Sequence, residues 1–311
     1  MDEIAPSRLC VCVPARNEAE RLPRLVDAIA AQDWPGVIPV AIGVNNTTDD
    51  SLDVLDRCAA TYAGRLAIDV SAITFAPHDA HAGSARRFAM DRGAALLGHD
   101  HRAILVSTDA DARPPRGWLS AIAAAVARGA DVVGGRLEID PEEPLPEPAA
   151  RLRQALDRYW AQVRAIEDAI DPVAWDPQPR HGDHTGASVA ITVGAYQACG
   201  GVPLIASGED CAMVMAAVAH GARLTHPPDV WVNVSPRCIG RAQNGMADDM
   251  ARLVAAASGG PPILMPGFDH WRARVAWRRR MRAQSDCPAR LVHEEALLPP
   301  MPRDMLLESV E

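Results

Sequence analysis

The sequence predicts an α/β protein with a mostly parallel, layered sheet flanked by helices, and two observations carry that prediction. Short apolar runs at 9–13, 37–44, 66–75, 103–107 and 131–137 alternate with segments of helical periodicity, the order that builds parallel sheets. Polar clusters follow the first, second and fourth runs, where open α/β sheets carry their ligand-binding loops.

Leu9–Val13 reads as a buried strand stopped by Pro14. Leu22, Leu25, Val26 and Ile29 recur at helical spacing and predict a helix over 23–31, with Pro23 tolerated in its first turn. Val37–Val44 is the second strand, and Pro39 within it predicts a bulge or an imperfectly paired position. Asn45–Ser51 is a loop that enters a helix through Leu52, Leu55 and Cys58. A third strand follows at Leu66–Phe75, an Ala-rich helix at 84–97 and a fully apolar fourth strand at Ala103–Ser107. Pro114 and Pro115 open a helix carrying Trp118, Leu119, Ile122 and Val126, and Asp131–Leu137 is the fifth strand.

Beyond it the stretch 138–150 is acidic and proline-rich, a linker or surface excursion and not core. Leu152, Leu156, Tyr159, Trp160 and Val163 give a helix over about 150–169 an apolar face. Asp171–Thr185 has three prolines and little periodicity. A compact unit resumes at Gly186–Val193, with a helix at 209–220, strands near 222–225 and 230–234, and a helix at 246–257. The stretch 271–282 carries six arginines, with Trp271, Val275 and Met281 on one helical side. It is suited to an anionic membrane surface, to packing on the main domain, or to an acidic partner.

Hydrophobic residues make up 48% of the 311-residue chain but aromatics only 4%, so much of the core must be built from Ala, Val, Leu and Ile. A formal charge of -9 disfavours extended nucleic-acid binding. The seven cysteines form no CxxC pair; Cys10 and Cys12 fall on one strand face as buried thiols, and a reducing cytoplasmic setting is expected. No signal peptide and no uncharged stretch of the ~20 apolar residues that cross a bilayer is evident. The Asn46-Thr47-Thr48 run is therefore not read as a glycosylated site.

Three polar clusters fall at strand ends: Pro14-Ala15-Arg16-Asn17-Glu18, Asn45 to Asp50, and Ser107 to Asp111. Neither GxGxxG nor GxxxxGK[ST] occurs, so nucleotide binding would need another design. Asp109 and Asp111, two apart after a buried strand, can converge on Mg²⁺ or Mn²⁺; the spacing alone also allows, and more readily, solvated loop aspartates. Glu209-Asp210 opens an apolar helix, either as complement to its dipole or as a general base near an acceptor hydroxyl. His226 follows a short strand and is a candidate metal ligand or a plain loop histidine; His78, His81, His181 and His184 are weaker pocket candidates.

Together these clusters resemble the family 2 inverting glycosyltransferases, in a soluble bacterial-type form. The opening P-x-x-N-E motif matches Pro14-Ala15-Arg16-Asn17-Glu18, and the N-S-T-D-D-T type loop matches Asn46 to Ser51. The motif opening the third helix is approximated by Gly83-Ser84-Ala85-Arg86-Arg87, DxD by Asp109-Ala110-Asp111, the acceptor-side segment by Gly186 to Ala190, and the Glu-Asp pair by Glu209-Asp210. Ser235-Pro236-Arg237 and Gly240-Arg241 resemble a serine-arginine segment found near the diphosphate.

The resemblance implies a glycosyltransferase A-type fold, a Rossmann-like mixed central sheet flanked by helices. It implies a nucleotide-diphosphate sugar donor, contacted by Pro14, Ala15, Arg16, Asn17, Glu18, Asn45, Asn46, Asp49, Arg86, Asp109, Arg237 and Arg241. A Mg²⁺ or Mn²⁺ ion would sit at Asp111 and Asp109, with His226, and Asp210 would act as base beside Glu209. It further implies a sugar, lipid-linked or small-molecule acceptor and a cytoplasmic site of action, with peripheral contact at the inner membrane face and homo-oligomerisation left open. The chain divides into 1–137 for the nucleotide-sugar, 138–185 as acidic linker, helix and loop, 186–260 for the acceptor side, and 261–311 as a basic helical extension.

Three departures stand out. Asn45 and Asn46 replace a usual Asp, Arg87 replaces the commoner Asn, and membrane helices and a Gln-x-x-Arg-Trp motif are missing, which favours single-sugar transfer over polymerisation. Two alternatives remain. A sugar-nucleotide nucleotidyltransferase needs a glycine-rich loop and a lysine, and the chain holds no lysine. An inactive sugar- or partner-binding protein would keep the pocket without turnover.

Overall fold

The structure, a computed structural model, describes residues 8–240, 245–285 and 287–309. The first half runs β1 (Leu9–Ala15), α1 (Leu22–Ala30), β2 (Ile38–Asn45), α2 (Ser51–Thr61), β3 (Leu66–Ile73), α3 (Ala82–Leu96), β4 (Ile104–Ser107), α4 (Trp118–Ala127), β5 (Val132–Gly134) and β6 (Arg136–Ile139). The second runs α5 (Glu147–Ile170), β7 (Val189–Thr192), α6 (Val193–Ala198), α7 (Glu209–Ala219), β8 (Leu224–Thr225), β9 (Trp231–Val234), α8 (Met246–Ala257), β10 (Leu264–Pro266), α9 (Phe268–Gln284), α10 (Pro288–Ala296) and β11 (Arg303–Leu306).

The central sheet has seven strands in the order β3-β2-β1-β4-β7-β5-β8. All its pairings are parallel except those of β7, which runs antiparallel to both β4 and β5. This is the mixed sheet of the glycosyltransferase A type, Rossmann-like in its first four strands. β1 shows how the sequence builds the layers. Leu9, Val11 and Val13 enter one core with Leu25, Ile29, Trp118 and Ile122 of the helices on that side. Cys10 and Cys12 enter the opposite core with Met90, Leu105 and Met213, as the two-residue period of a strand requires. Both thiols are fully buried and unpaired.

On the Cys face α3 lies unusually close to the sheet. A Cβ at Gly93 would sit 2.4 Å from Cys12 Sγ and 3.2 Å from Leu105 Cδ2, so only glycine lets this helix settle on β1.

Four details differ from the sequence reading. β1 continues through Pro14 to Ala15, pairing Pro14 with Gly43. Of the two readings of Pro39 the structure has the imperfectly paired position and no bulge: β2 pairs with β3 without interruption, while its ladder with β1 starts one residue later, at Val40. The run 131–137 is not one strand. It breaks at Gly135 into β5 of the main sheet and β6, which pairs with β9 in a separate ribbon. The cause is local: a Cβ at Gly135 would lie 2.0 Å from Ser188 Oγ, so the chain turns there against β7. The stretch 138–150 is not wholly a surface excursion either. Ile139 still pairs with Val234, Asp140 is buried against Arg113, and Ala149 is in a small core with Leu152 and Leu253.

The arginine-rich segment forms α9 and packs on α5 through buried Trp271 and Val275. Trp271 Nε1 donates to Tyr159 Oη at 2.6 Å, and that hydroxyl donates to Pro266 O at 2.9 Å. Four of its arginines meet carboxylates of this same chain: Arg272 with Asp269, Arg274 with Glu295, Arg278 with Glu167 and Glu295, and Arg282 with Asp171. Region 261–311 is therefore not purely helical, since β10 and β11 pair antiparallel beside α9.

Candidate active site

The carboxyl ends of β1, β2 and β4 open onto a cleft of about 1330 Å³. Pro14, Ala15, Arg16, Glu18, Asn45, Arg86, Asp109, Asp111, Glu209, Asp210 and Arg237 all line it. Asn17, Asn46 and Asp49 are not among its lining residues; they build the loops behind it. Asn17 takes a left-handed conformation, φ 52°. Its N–H donates to Thr47 Oγ1 at 3.1 Å, and its Oδ1 accepts from Thr48 N–H at 2.7 Å. Asp49 accepts from Ala19 N–H, Ser51 N–H and the Ser51 hydroxyl. Asn46 clamps Phe75 through its amide in both directions, while Asn45 donates to Ala15 O at 3.2 Å. The turns after β1 and β2 are thereby one hydrogen-bonded unit.

Arg86, from the first turns of α3, is the hub of the site. Its Nε donates to Glu209 Oε1 at 2.9 Å, Nη2 to Asp109 Oδ1 at 2.9 Å, and Nη1 to Ser107 Oγ at 2.8 Å and Gly186 O at 3.0 Å. Burial works against the charged guanidinium, but Asp109, Glu209 and Asp210 outweigh it and raise its pKa. Gly186 is required beneath it: an added Cβ would lie 2.1 Å from Arg86 Nη2. One cation so ties β4, α3, α7 and the approach to β7 together. Arg87, its sequence neighbour, turns away to Val202 O and Asp91.

Asp210 stands at the N-terminus of α7, behind Gly208 at φ 74°. Its Oδ2 accepts from Gly186 N–H at 2.5 Å and its Oδ1 from Cys211 N–H at 2.7 Å, which fixes the carboxylate at the cleft wall. Glu209 beside it is buried and committed to Arg86.

Asp111 faces Arg237 Nη2 at 2.9 Å, and the same guanidinium reaches Glu18 at 3.1 Å. Burial pushes the Asp111 carboxyl up to about 6, Asp109 and Glu18 add to the rise, and Arg237 and Arg21 oppose it. Burial and two neighbouring carboxylates thus disfavour its charge even with Arg237 beside it, and the carboxylate oxygens of Asp109 and Asp111 are donors of the kind a hard divalent cation takes. Among the described residues no three His, Cys, Asp or Glu side chains converge as a complete metal shell. Asp109 and Asp111 are the carboxylates in the cleft that could hold such a cation.

His226 is placed elsewhere. It is buried, with Nδ1 on Asp176 Oδ2 at 2.8 Å and Nε2 against His184 Nδ1 at 3.2 Å. Burial first, and then His226, lower His181 and His184 to about 4. Of the three, His181 reaches the cleft wall. Arg241 lies outside the described residues.

The cleft also has a second wall, built from α5, the segment 171–185 and β11, where sequence reasoning points only to His181 and His184. Trp160, Arg164, Arg180 and Arg303 line it. A faint signal for Arg164 exists, since it follows Tyr159, Trp160 and Val163 on the helix read as apolar. Arg303 has none, because its strand pairs with a partner nearly forty residues earlier.

Residues 10–168 match the profile of the family described as "Glycosyl transferase family 2", just over half of the chain. No curated protein sequence matches the chain. Among solved structures, the chain resembles S. aureus TarS 1–349 in complex with UDP, with TM-score 0.53 and 14% identity, covering 86% of this chain and 69% of that one. It also resembles the mannosyltransferase PcManGT from Pyrobaculum calidifontis in complex with GDP-Man and Mn²⁺, with TM-score 0.50 and 18% identity, covering 95% and 89%. At these identities the likeness is one of fold.

Proposed function

The chain belongs to glycosyl transferase family 2, and on that footing we propose that it transfers a single sugar, with inversion, from a nucleotide-diphosphate sugar to a hydroxyl acceptor. The observation that carries this reading is the convergence, through buried Arg86, of Asp109 after β4 with Glu209 beside Asp210. A carboxylate pair for a metal-bound diphosphate and a carboxylate for a base thus share one cleft.

In this reading residues 1–137 hold the nucleotide, 138–185 and 261–311 wall the cleft, and 186–260 serve the acceptor. Asn45 and the backbone at Ala15 and Arg16 border the nucleotide end. Asp111 and Asp109 would hold Mg²⁺ or Mn²⁺, which draws charge off the leaving diphosphate when bound. PcManGT's complex with GDP-Man and Mn²⁺ supports that class of donor and ion. Arg237 stands beside Asp111, where its planar fork suits diphosphate oxygens.

Asp210 takes the proton of the acceptor hydroxyl. That oxygen forms its bond to the anomeric carbon on the face opposite the diphosphate, whose bond to the carbon breaks. The two N–H groups on Asp210 aim it, and general-base action of this kind contributes about 10²–10⁴-fold. Glu209 positions Arg86. The seven unpaired cysteines are consistent with work in a reducing compartment.

A screen of nucleotide-sugars with Mn²⁺, reading both binding and slow donor hydrolysis, tests the proposal. One nucleotide-sugar should bind and be hydrolysed only with the ion present. Binding of several with no turnover under any condition would instead mark a sugar-binding protein.

A further inference from the structure

Among the cleft-lining arginines opposite the nucleotide end, most are answered by their own carboxylates. Arg136 meets Glu138, Arg153 meets Asp157 at 3.0 Å, and Arg180 meets Asp168 at 2.9 Å and Glu167 at 3.0 Å. Arg164 and Arg303 differ. Arg164 has one ion pair among the described residues, from Nη1 to Glu167 Oε2 at 3.2 Å, and it shares that carboxylate with Arg180 and Arg278. Its Nε is buried without a partner, and its Nη2 bonds to none of the described residues. Arg303 is exposed on β11 and has no ion pair or hydrogen bond from its side chain among the described residues.

A buried donor left without a partner is destabilising, and folded proteins keep few such atoms. Among the described residues three buried side-chain atoms are of this kind, and two of them, Arg164 Nε and Thr185 Oγ1, belong to residues lining this cleft. Backbone is also cleared for Arg164: a Cβ at Gly182 would lie 2.5 Å from its Nη1. Burial first disfavours its charge and Arg180 and Arg278 add to that, while Glu167 and Asp183 oppose them. Asp183 is the other carboxylate facing Arg164, and one of its oxygens accepts from Leu137 N–H at 3.2 Å. The corner is near the base as well, because His184 feels both Asp210 and Arg164. Trp160, stacked 5.7 Å from the Arg164 guanidinium, offers an apolar platform for a carbon skeleton.

We propose that Arg164 and Arg303 form an oxyanion site for the acceptor, so that the hydroxyl compound glycosylated here carries a phosphate or carboxylate group. This rests on the transferase reading for the identity of the occupant, but not for the site itself. Arginine forks suit both oxyanions.

The test uses the full chain with Mg²⁺ and saturating UDP or GDP to fill the nucleotide end, titrated with inorganic phosphate by calorimetry. Phosphate should bind, and Arg303→Gln and Arg164→Gln should each weaken it at least tenfold. Arg303→Gln alters an exposed side chain and keeps the test decisive if the Arg164 variant misfolds. Phosphate binding equal in wild type and Arg303→Gln would overturn the proposal.

A second arm offers the wild-type enzyme a polyol phosphate, the same polyol unphosphorylated, and a hydroxycarboxylate, with the donor found by screening. Consumption of the first or the third over the second supports the site and names the oxyanion; equal use of the plain polyol overturns it. Arginine-dependent phosphate binding with no nucleotide-sugar turned over supports the site while sinking the transferase reading.

Discussion

Arg86 leaves α3 with its guanidinium buried and spends it on two carboxylates, a hydroxyl and a carbonyl. Removing one partner of such a buried network leaves uncompensated charge, which typically costs about 3–5 kcal/mol. Arg86→Met should therefore lower the unfolding free energy by roughly that amount in chemical denaturation. Arg86→Lys should recover only part of it, since a single ammonium cannot span Asp109 and Glu209 as the fork does. A Lys variant as stable as wild type would show that point charge alone suffices. The sequence identified Arg86 by motif but not its partners. Glu209 lies 123 positions along the chain, and no local pattern encodes so distant a pairing.

At the scale of elements, the close seating of α3 on β1 depends on Gly93. Overpacking a filled core costs about 1–3 kcal/mol, so Gly93→Ala should be destabilised to that extent by thermal or denaturant unfolding. Adding Cys12→Ala removes the sulfur that the new methyl meets and should return part of the loss; strict additivity of the two changes would disprove the contact. The loop 171–185 gives a second handle, through His181 and His184, which are held near 4 against an ordinary histidine value of about 6.5. Between those values these two histidines bind more protons in the unfolded chain than in the folded one, which lowers stability as pH falls from about 6.5 towards 4, while Asp111, raised to about 6, offsets part of that loss. Urea midpoints across that range should show the slope, and His184→Gln should flatten it; an unchanged slope would place the acid sensitivity elsewhere. These elements were unevenly legible. Alternating apolar runs revealed β1 to β4 and their helices, because each buries a periodic face. The break at Gly135 was hidden, since an apolar run looks continuous when its two halves join different sheets. α10, β10 and β11 also escaped, being short and largely exposed.

For the whole molecule, parallel strands set the turns after β1, β2 and β4 at one edge, and α7 brings its acidic N-terminus to the same cleft. The polar clusters at those strand ends were readable because topology dictates where they meet. The opposite wall was largely not, since it is assembled from α5, β11 and a loop without periodicity. Among the described residues no helix is long and apolar enough to cross a membrane, and the apolar side of α9 is spent on α5. The central claim is that Asp210 is the base of a single displacement, and one measurement tests it most directly: transfer by Asp210→Asn with the identified donor and Mn²⁺. Asparagine keeps the size and one acceptor oxygen but cannot take the proton, so kcat should fall at least about 10²-fold with donor binding retained. Near-normal kcat in Asp210→Asn would contradict the account.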